Sequence, residues 1–221
     1  MHIRENILLL QGYYKQLQLG KFMEEIIKHN DLSFLVQDFQ VKTGEHSHFT
    51  ISSSAIKKTL QDIYNNKDKT NLFGYLTEIN TFRGILGSMR ELINQGGNFH
   101  DFLKTTLGKQ YFAFEQVIFF TRNILSHNST SGIKIDANAI KAQKQFLSKN
   151  KIKTIHFIFV YSKYIKQRKG SNNYGVEIKL HFPTIKAGKS LFEVVSVHQL
   201  YKLCELCYNL SEIFRSKYKI K

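Results

Sequence analysis

The sequence has no tryptophan, one proline and two cysteines among its 221 residues. A single proline argues against a loop-rich all-β fold and suits long uninterrupted helices. Two cysteines, Cys204 and Cys207, cannot form a disulfide framework, which indicates a cytoplasmic protein. The longest aliphatic run, residues 7–10, is too short for a membrane span or for the core of a signal peptide. We therefore expect a soluble cytoplasmic protein, without a membrane anchor, that folds as a single domain over residues 1–221.

Acidic residues are scarce. The chain has 17 Asp and Glu against 32 Lys and Arg, which leaves a formal net charge of +15 at pH 7. A soluble protein with this balance most often binds a polyanion, and nucleic acid is the commonest one. A basic surface that serves only solubility, or that reflects the composition of the organism, stays open as an alternative.

Most of the chain shows apolar residues at the three- and four-residue spacing of amphipathic helices. This spacing predicts helices over residues 3–29 (with a break near Gly20), 31–39, 53–64, 72–92, 98–107, 111–126, 136–148 and 191–218. Residues 42–49 are predicted to form a loop.

The spacing changes to strict alternation in two segments before the last helix. One contains Ile155, Phe157 and Phe159, and the other contains Ile178 and Leu180. Alternation on both sides of a Gly-, Ser- and Asn-rich stretch predicts a β-hairpin over about 153–183 with a long basic tip. The predicted fold class is mainly α, a helical bundle with this hairpin inserted before the C-terminal helix.

The helix predicted at 111–126 carries the candidate catalytic residues. At 100° per residue, Glu115 and Arg122 lie seven positions apart and about 20° from each other on one face. A carboxylate there would hold the guanidinium in place. Asn123 and His127 are four positions apart and also share a face, whereas Arg122 and His127 point about 140° apart. The last pair converges on one substrate only if the helix ends or bends between them, or if two copies meet across a symmetric interface.

The segment "TRNILSHN", with Arg122-Asn123, three residues and then His127, resembles the signature of the HEPN superfamily. In that signature four to six residues separate an arginine from a histidine near the end of a helix, often with a polar residue directly after the arginine. The resemblance implies a HEPN-like helical bundle, a homodimer whose two motifs share one cleft, and metal-independent cleavage of RNA. It implies no cofactor.

The implied chemistry suits these side chains. A histidine changes charge between pH 5 and 8, so His127 can take the proton of a ribose 2′-hydroxyl or give one to the leaving 5′-oxygen. Arg122 offers a planar fork of donors to the scissile phosphate, and Asn123 would orient the phosphate or the histidine. Glu115 and Ser126 are the candidate supporting residues. The products would be a 2′,3′-cyclic phosphate and a 5′-hydroxyl end, and DNA would be spared because it lacks the 2′-hydroxyl.

The resemblance also suggests a toxin–antitoxin or antiviral defence system. HEPN toxins that are paired with a minimal nucleotidyltransferase carry a tyrosine two residues after the histidine. Here that position is Ser129, with Thr130 next. We therefore expect that an antitoxin, if one exists, acts by a route other than tyrosine adenylylation.

Basic and aromatic residues alternate around the predicted hairpin tip, in a pattern that suits phosphate attraction and base stacking by single-stranded RNA. A solvated loop tip, with its tyrosines packed on neighbouring helices, explains the pattern equally well. The residues are Lys163, Lys166, Arg168 and Lys169, with Tyr161, Tyr164 and Tyr174.

Cys204 and Cys207 are predicted to be core residues, because a structural zinc site needs four ligands and no second pair is present. Two further functions remain open beside the ribonuclease. One is a catalytically silent RNA-binding or scaffolding dimer, and the other is a helical protein that binds an acidic protein partner.

Overall fold

The computed structural model describes residues 3–29, 32–33, 35–42, 45, 47–127, 133–161 and 175–219, without the side chains of 67–73. It is mainly helical, as predicted, and has two small antiparallel sheets, of which only the second was expected from the sequence. In order, the elements are α1 (Ile3–His29), β1 (Phe39–Lys42), β2 (His48–Ile51), α2 (Ser53–Asn65), α3 (Lys67–Asn94), α4 (Gly97–Leu107), a 3-10 turn (Gly108–Gln110), α5 (Tyr111–His127), α6 (Ala137–Lys149), β3 (Thr154–Val160), β4 (Gly175–His181), two 3-10 turns (Phe182–Thr184 and Leu191–Glu193) and α7 (Val197–Lys217). None of the helices in these ranges is both long and apolar enough to cross a bilayer.

Three predictions about the N-terminal third are wrong. α1 runs through Gly20 without a break. The described residues of 31–39 contain no helix, and the predicted loop at 42–49 includes parts of two strands. β1 pairs antiparallel with β2, with Phe39 opposite Ile51 and Val41 opposite Phe49. Side chains alternate across a strand, so Phe39 and Val41 share one face of the hairpin and can pack against the paired residues of β2. These cross-strand contacts outweigh the helical spacing of the apolar residues.

One predicted helix start, that of α6, is confirmed by a capping contact. The Asp136 side chain accepts a hydrogen bond from the backbone N–H of Asn138 and so caps α6. α7 begins later than predicted, at Val197, because Ser196 and Gln199 form a capping box there, while Leu191–Glu193 forms a separate 3-10 turn.

The chain divides into two compact units, and the prediction of one domain over 1–221 stays a prediction. The unit of residues 15–80 is organised around an apolar cluster that contains Ile27, Leu35 and Leu60. Its main polar feature is the buried Glu24 carboxylate, which accepts hydrogen bonds from Lys21 and from Lys28, the latter at 2.9 Å. Although burial by itself raises the pKa of Glu24, these hydrogen bonds outweigh it and lower the pKa.

The unit of residues 1–14 and 81–221 contains the large aromatic core and all of α5. The Phe114 ring packs against Phe157 of β3 at 5.4 Å between ring centroids. Gln143 of α6 donates to the backbone carbonyl and side-chain oxygens of Gln116 at 2.8 and 2.9 Å. α5 is therefore held from two sides, and its orientation decides where the motif residues lie.

A close approach ties α1 to α3 in the same unit. A methyl group added at Gly84 would lie 2.5 Å from the ring of Tyr13, whereas one added at Gly87 would meet nothing within 4 Å. Glycine at position 84 is therefore a packing requirement, because any side chain would overlap the aromatic ring.

Candidate functional site

α5 places the motif residues at different depths. Its predicted core stripe is confirmed, since Phe114, Val117, Ile118, Thr121 and Leu125 are all buried. Arg122 and Asn123 lie half-buried beside that stripe, whereas Ser126 and His127 are exposed in the last turn. Half-burial is the condition under which a charged donor is partly stripped of water and still accessible to a ligand.

The Asn123 side chain accepts hydrogen bonds from two arginines. Its Oδ1 accepts a hydrogen bond from Nη1 of Arg90, on α3, and a longer one of 3.5 Å from Nη1 of Arg122. Its Nδ2 donates to the backbone carbonyl of Ala139, in the first turn of α6, at 3.3 Å. A neutral amide oxygen therefore serves as the shared acceptor for two guanidinium groups.

Arg90 is oriented by an aromatic ring as well as by the amide. Its Cζ lies 4.4 Å from the ring centroid of Phe119, which is one turn before Asn123 on α5. A guanidinium stacked on an aromatic face keeps its N–H edge available for acceptors in the plane. Burial of the guanidinium and the nearby charge of Arg122 lower the pKa of Arg90, while Glu91 acts in the opposite direction. Arginine nevertheless remains charged at neutral pH, so the site holds two positive charges.

No carboxylate within the described ranges forms an ion pair with Arg90 or Arg122. Glu115, expected beside Arg122, instead accepts a hydrogen bond from the Tyr111 hydroxyl at 3.4 Å. Burial and the Glu115 charge together raise the pKa of Tyr111. The two arginines thus carry positive charge that no neighbouring acidic side chain neutralises by direct contact, and a supporting role of Glu115 stays a prediction.

A third arginine, Arg83 of α3, has a structural position. Its Nε donates to the backbone carbonyl of Leu125 at 2.8 Å. That carbonyl belongs to the last turn of α5, where helix carbonyls lack an intrahelical partner. Arg83 therefore joins α3 to the end of α5, in contrast to the two arginines that meet at the Asn123 side chain.

His127 is the last residue of α5, and it is exposed. No described group forms a hydrogen bond with its imidazole. α5 is helical from Tyr111 to His127, so it does not end between Arg122 and His127. On such a helix the two side chains point about 140° apart and are separated by about 7.5 Å along the axis.

The predicted hairpin is confirmed in β3 and β4, which pair from Thr154 opposite His181 to Val160 opposite Gly175. The RNA-binding candidates at its tip, Lys163, Lys166, Arg168 and Lys169 with Tyr164 and Tyr174, lie outside the described residues. Ser129 and Thr130 do as well.

Tyr161 is described, and it does not fit the stacking role proposed for the hairpin aromatics. Its side chain is buried, and its hydroxyl accepts a hydrogen bond from Asn209 of α7 at 3.2 Å. Tyr161 is therefore a packing residue between β3 and α7.

Cys204 and Cys207 are free, fully buried thiols in α7, as predicted for core residues. Burial raises the pKa of both thiols, which makes them poor nucleophiles and poor metal ligands. Within the described part of the chain, no three His, Cys, Asp or Glu side chains come together as a metal site would require.

Arg90 is the site residue that the sequence did not reveal. It lies 32 positions before Arg122 on another helix, and no local pattern distinguishes it from other surface arginines. Only the packing of α3 beside α5 brings the two guanidinium groups to one amide.

The comparisons with known proteins give no relative, since no family model, no curated protein and no solved structure matches this chain.

Proposed function

We propose that this protein is a homodimeric, metal-independent endoribonuclease of the HEPN type, in which Arg122, Asn123 and His127 act on one RNA phosphodiester. The observation that carries the proposal is the pair of half-buried guanidinium groups at Asn123 without an ion-paired carboxylate among the described residues. Arginine forks match phosphate oxygens in shape and charge, so an uncompensated pair is suited to a phosphate ligand. The net charge of +15 suits a polyanionic substrate.

The reaction follows from the groups available. The imidazole of one His127 removes the proton of the ribose 2′-hydroxyl, and the oxygen attacks the adjacent phosphorus. Negative charge builds on the nonbridging oxygens, where Arg122 donates hydrogen bonds. The bond from phosphorus to the 5′-oxygen then breaks, and that oxygen takes a proton from a second acid. The products are a 2′,3′-cyclic phosphate and a 5′-hydroxyl end.

The continuity of α5 favours a dimer as the form in which the motif acts. Because Arg122 and His127 diverge on an unbroken helix, one chain does not readily aim both at the same phosphate. A two-fold interface would set Arg122 of one copy opposite His127 of the other and would place two imidazoles in one cleft. One of them can then serve as the base and the other as the acid.

The cellular setting is carried by the resemblance alone. It suggests a toxin or an antiviral effector that acts in the cytoplasm, with a protein antitoxin as a further partner. The RNA-binding role of the hairpin lysines belongs to the same proposal.

The test is cleavage of RNA in EDTA by the purified wild type, Arg122→Ala and His127→Ala. We expect 2′,3′-cyclic phosphate ends from the wild type and a loss of at least about 100-fold in either variant, since a general base or an oxyanion donor contributes on that order. Lys149→Gln, an exposed charge removal in the last turn of α6, is the matched control and should cleave normally. Equal activity in all four proteins would refute the assignment.

A catalytically silent RNA-binding dimer is the second candidate. It is favoured by the exposed His127, since no described side chain orients its imidazole as a general base usually requires. It predicts salt-dependent RNA binding without cleavage, so the same assay with a binding measurement separates the two functions.

A further inference from the structure

The strongest unassigned feature is Arg90, which comes from a different helix and meets Arg122 at the Asn123 amide. We propose that Arg90 is a second phosphate-binding residue of this site, so that one RNA phosphate binds between the guanidinium groups of Arg90 and Arg122. The inference rests on the proposed function only for the nature of the ligand, which is RNA.

The balance of charge at Asn123 favours an anionic ligand. Two cations are held at one neutral acceptor, and both are partly withdrawn from water. Their mutual repulsion and their lost hydration are both relieved when an anion arrives. A single phosphate group, with several acceptor oxygens, satisfies two guanidinium groups where one amide oxygen satisfies them poorly.

Arg90 is also preorganised for a ligand. Its Cζ lies over the Phe119 ring, 4.4 Å from the ring centroid, and Asn123 is itself anchored to the Ala139 carbonyl at 3.3 Å. A donor that is already held in place loses little side-chain entropy when a ligand binds.

Arg83 and Arg90 differ in their acceptors on α5. Arg83 donates to the Leu125 backbone carbonyl at the helix end. Arg90 has no such carbonyl partner among the described residues, because its hydrogen bond goes to a side chain beside another cation. Arg90 thus joins α3 to α5 through a side-chain amide oxygen, whose place a phosphate oxygen can take.

The experiment measures binding, not cleavage. A short RNA with 2′-O-methyl riboses cannot be cut by attack of the 2′-oxygen, and its affinity is followed by fluorescence anisotropy at several salt concentrations. The proteins are the full-length wild type, Arg90→Gln, Arg122→Gln, the double variant and Lys149→Gln as a charge-matched control. Circular dichroism establishes that each is folded.

We expect Arg90→Gln to lose about tenfold in affinity, as for one charge-assisted contact, and to lower the slope of log K against log salt by about 0.7. Lys149→Gln should change affinity by less than about twofold. If both arginines bind one phosphate, the fold-loss of RNA affinity in the double variant is clearly smaller than the product of the fold-losses in the two single variants.

An affinity of Arg90→Gln equal to that of Lys149→Gln overturns the inference. If the fold-loss in the double variant equals that product, the two arginines make independent contacts, and the inference that they share one phosphate is overturned. If Arg90→Gln does not fold, Arg90→Lys is the deciding variant, because it keeps the charge and loses the planar fork. We expect it to bind about threefold or more weakly, and unchanged affinity would refute the role.

A binding measurement with inorganic phosphate distinguishes an RNA ligand from a small phosphate compound. If it binds in an Arg90-dependent manner while the RNA does not, the site serves a small phosphate compound and the RNA assignment is overturned. If RNA binding depends on both arginines but the cleavable RNA stays intact, the ribonuclease proposal fails while the role of Arg90 in RNA binding stands.

Discussion

Replacement of Asn123 tests whether its amide holds the two arginines together. Asn123→Leu keeps the size of the side chain but removes the acceptor for Arg90 and Arg122 and the donor to Ala139. Asn123→Asp keeps the acceptor, turns it into an anion and removes only the donor. The pair therefore separates the contacts to the arginines from the contact to α6.

The expected magnitudes follow from the contacts. A hydrogen bond to a charged group contributes about 1.5–3 kcal/mol and a neutral one about 0.5–1.5 kcal/mol. The 3.5 Å contact from Arg122 is too long to count fully. Because Arg90 and Asn123 are only half-buried, the lower part of each range applies, and Asn123→Leu should cost about 2 kcal/mol. In Asn123→Asp the stronger contact to Arg90 offsets the lost contact to Ala139, so its stability should lie within about 1 kcal/mol of the wild type.

Urea unfolding followed by circular dichroism measures the difference. With an m-value of about 2 kcal/mol/M, the midpoint of Asn123→Leu should fall by about 1 M, while that of Asn123→Asp should stay within about 0.5 M of the wild type. The carboxylate should also occupy the place of the phosphate, so Asn123→Asp should bind RNA at least about tenfold more weakly despite its stability. Equal loss of stability in both variants would refute the reasoning, since the acceptor oxygen would then be without importance.

Three other predictions concern packing, pH and the dimer. Gly84→Ala should destabilise the protein by about 1–3 kcal/mol, because its methyl group would lie 2.5 Å from an aromatic ring of α1. Gly87→Ala meets nothing within 4 Å and should stabilise the protein by up to about 1 kcal/mol. A thermal melt in which the two variants change the melting temperature alike would contradict this. The lowered pKa of Glu24 means that its contribution is present above the pKa of the unfolded chain and is lost as the pH falls through the folded value. Glu24→Gln should therefore have a lower urea midpoint than the wild type at pH 7, and the difference should shrink as the pH is lowered below the unfolded pKa of about 4.3; a difference that stays constant would contradict this. If Arg122 and His127 act across subunits, a mixture of Arg122→Ala and His127→Ala, unfolded and refolded together, should regain part of the cleavage that neither has alone, because the mixed dimer joins one intact Arg122 to one intact His127. A mixture as inactive as its components would contradict action across subunits.

Periodicity was enough to predict most of the helices, because an amphipathic segment is stabilised by burial of one face and that face is written in the local sequence. α5 was predicted at 111–126 and spans Tyr111–His127, and the cap at Asp136 was correct. The first hairpin was missed for the opposite reason. Its short strands are stabilised by pairing with residues about ten positions away, while apolar residues at 32, 35, 36 and 39 carry helical spacing.

The sequence by itself determined the mainly helical class, the hairpin before the last helix, the excess of positive charge and the motif at the end of α5. Only the tertiary structure decided that Arg122 has Arg90 beside it and not Glu115, and that Tyr161 is buried. The physical reason is that local periodicity specifies which face of a helix is apolar, but not which residue of a neighbouring helix will lie opposite a given polar side chain. That neighbour is set by how α3 packs beside α5, and therefore by the shapes of all the side chains between them.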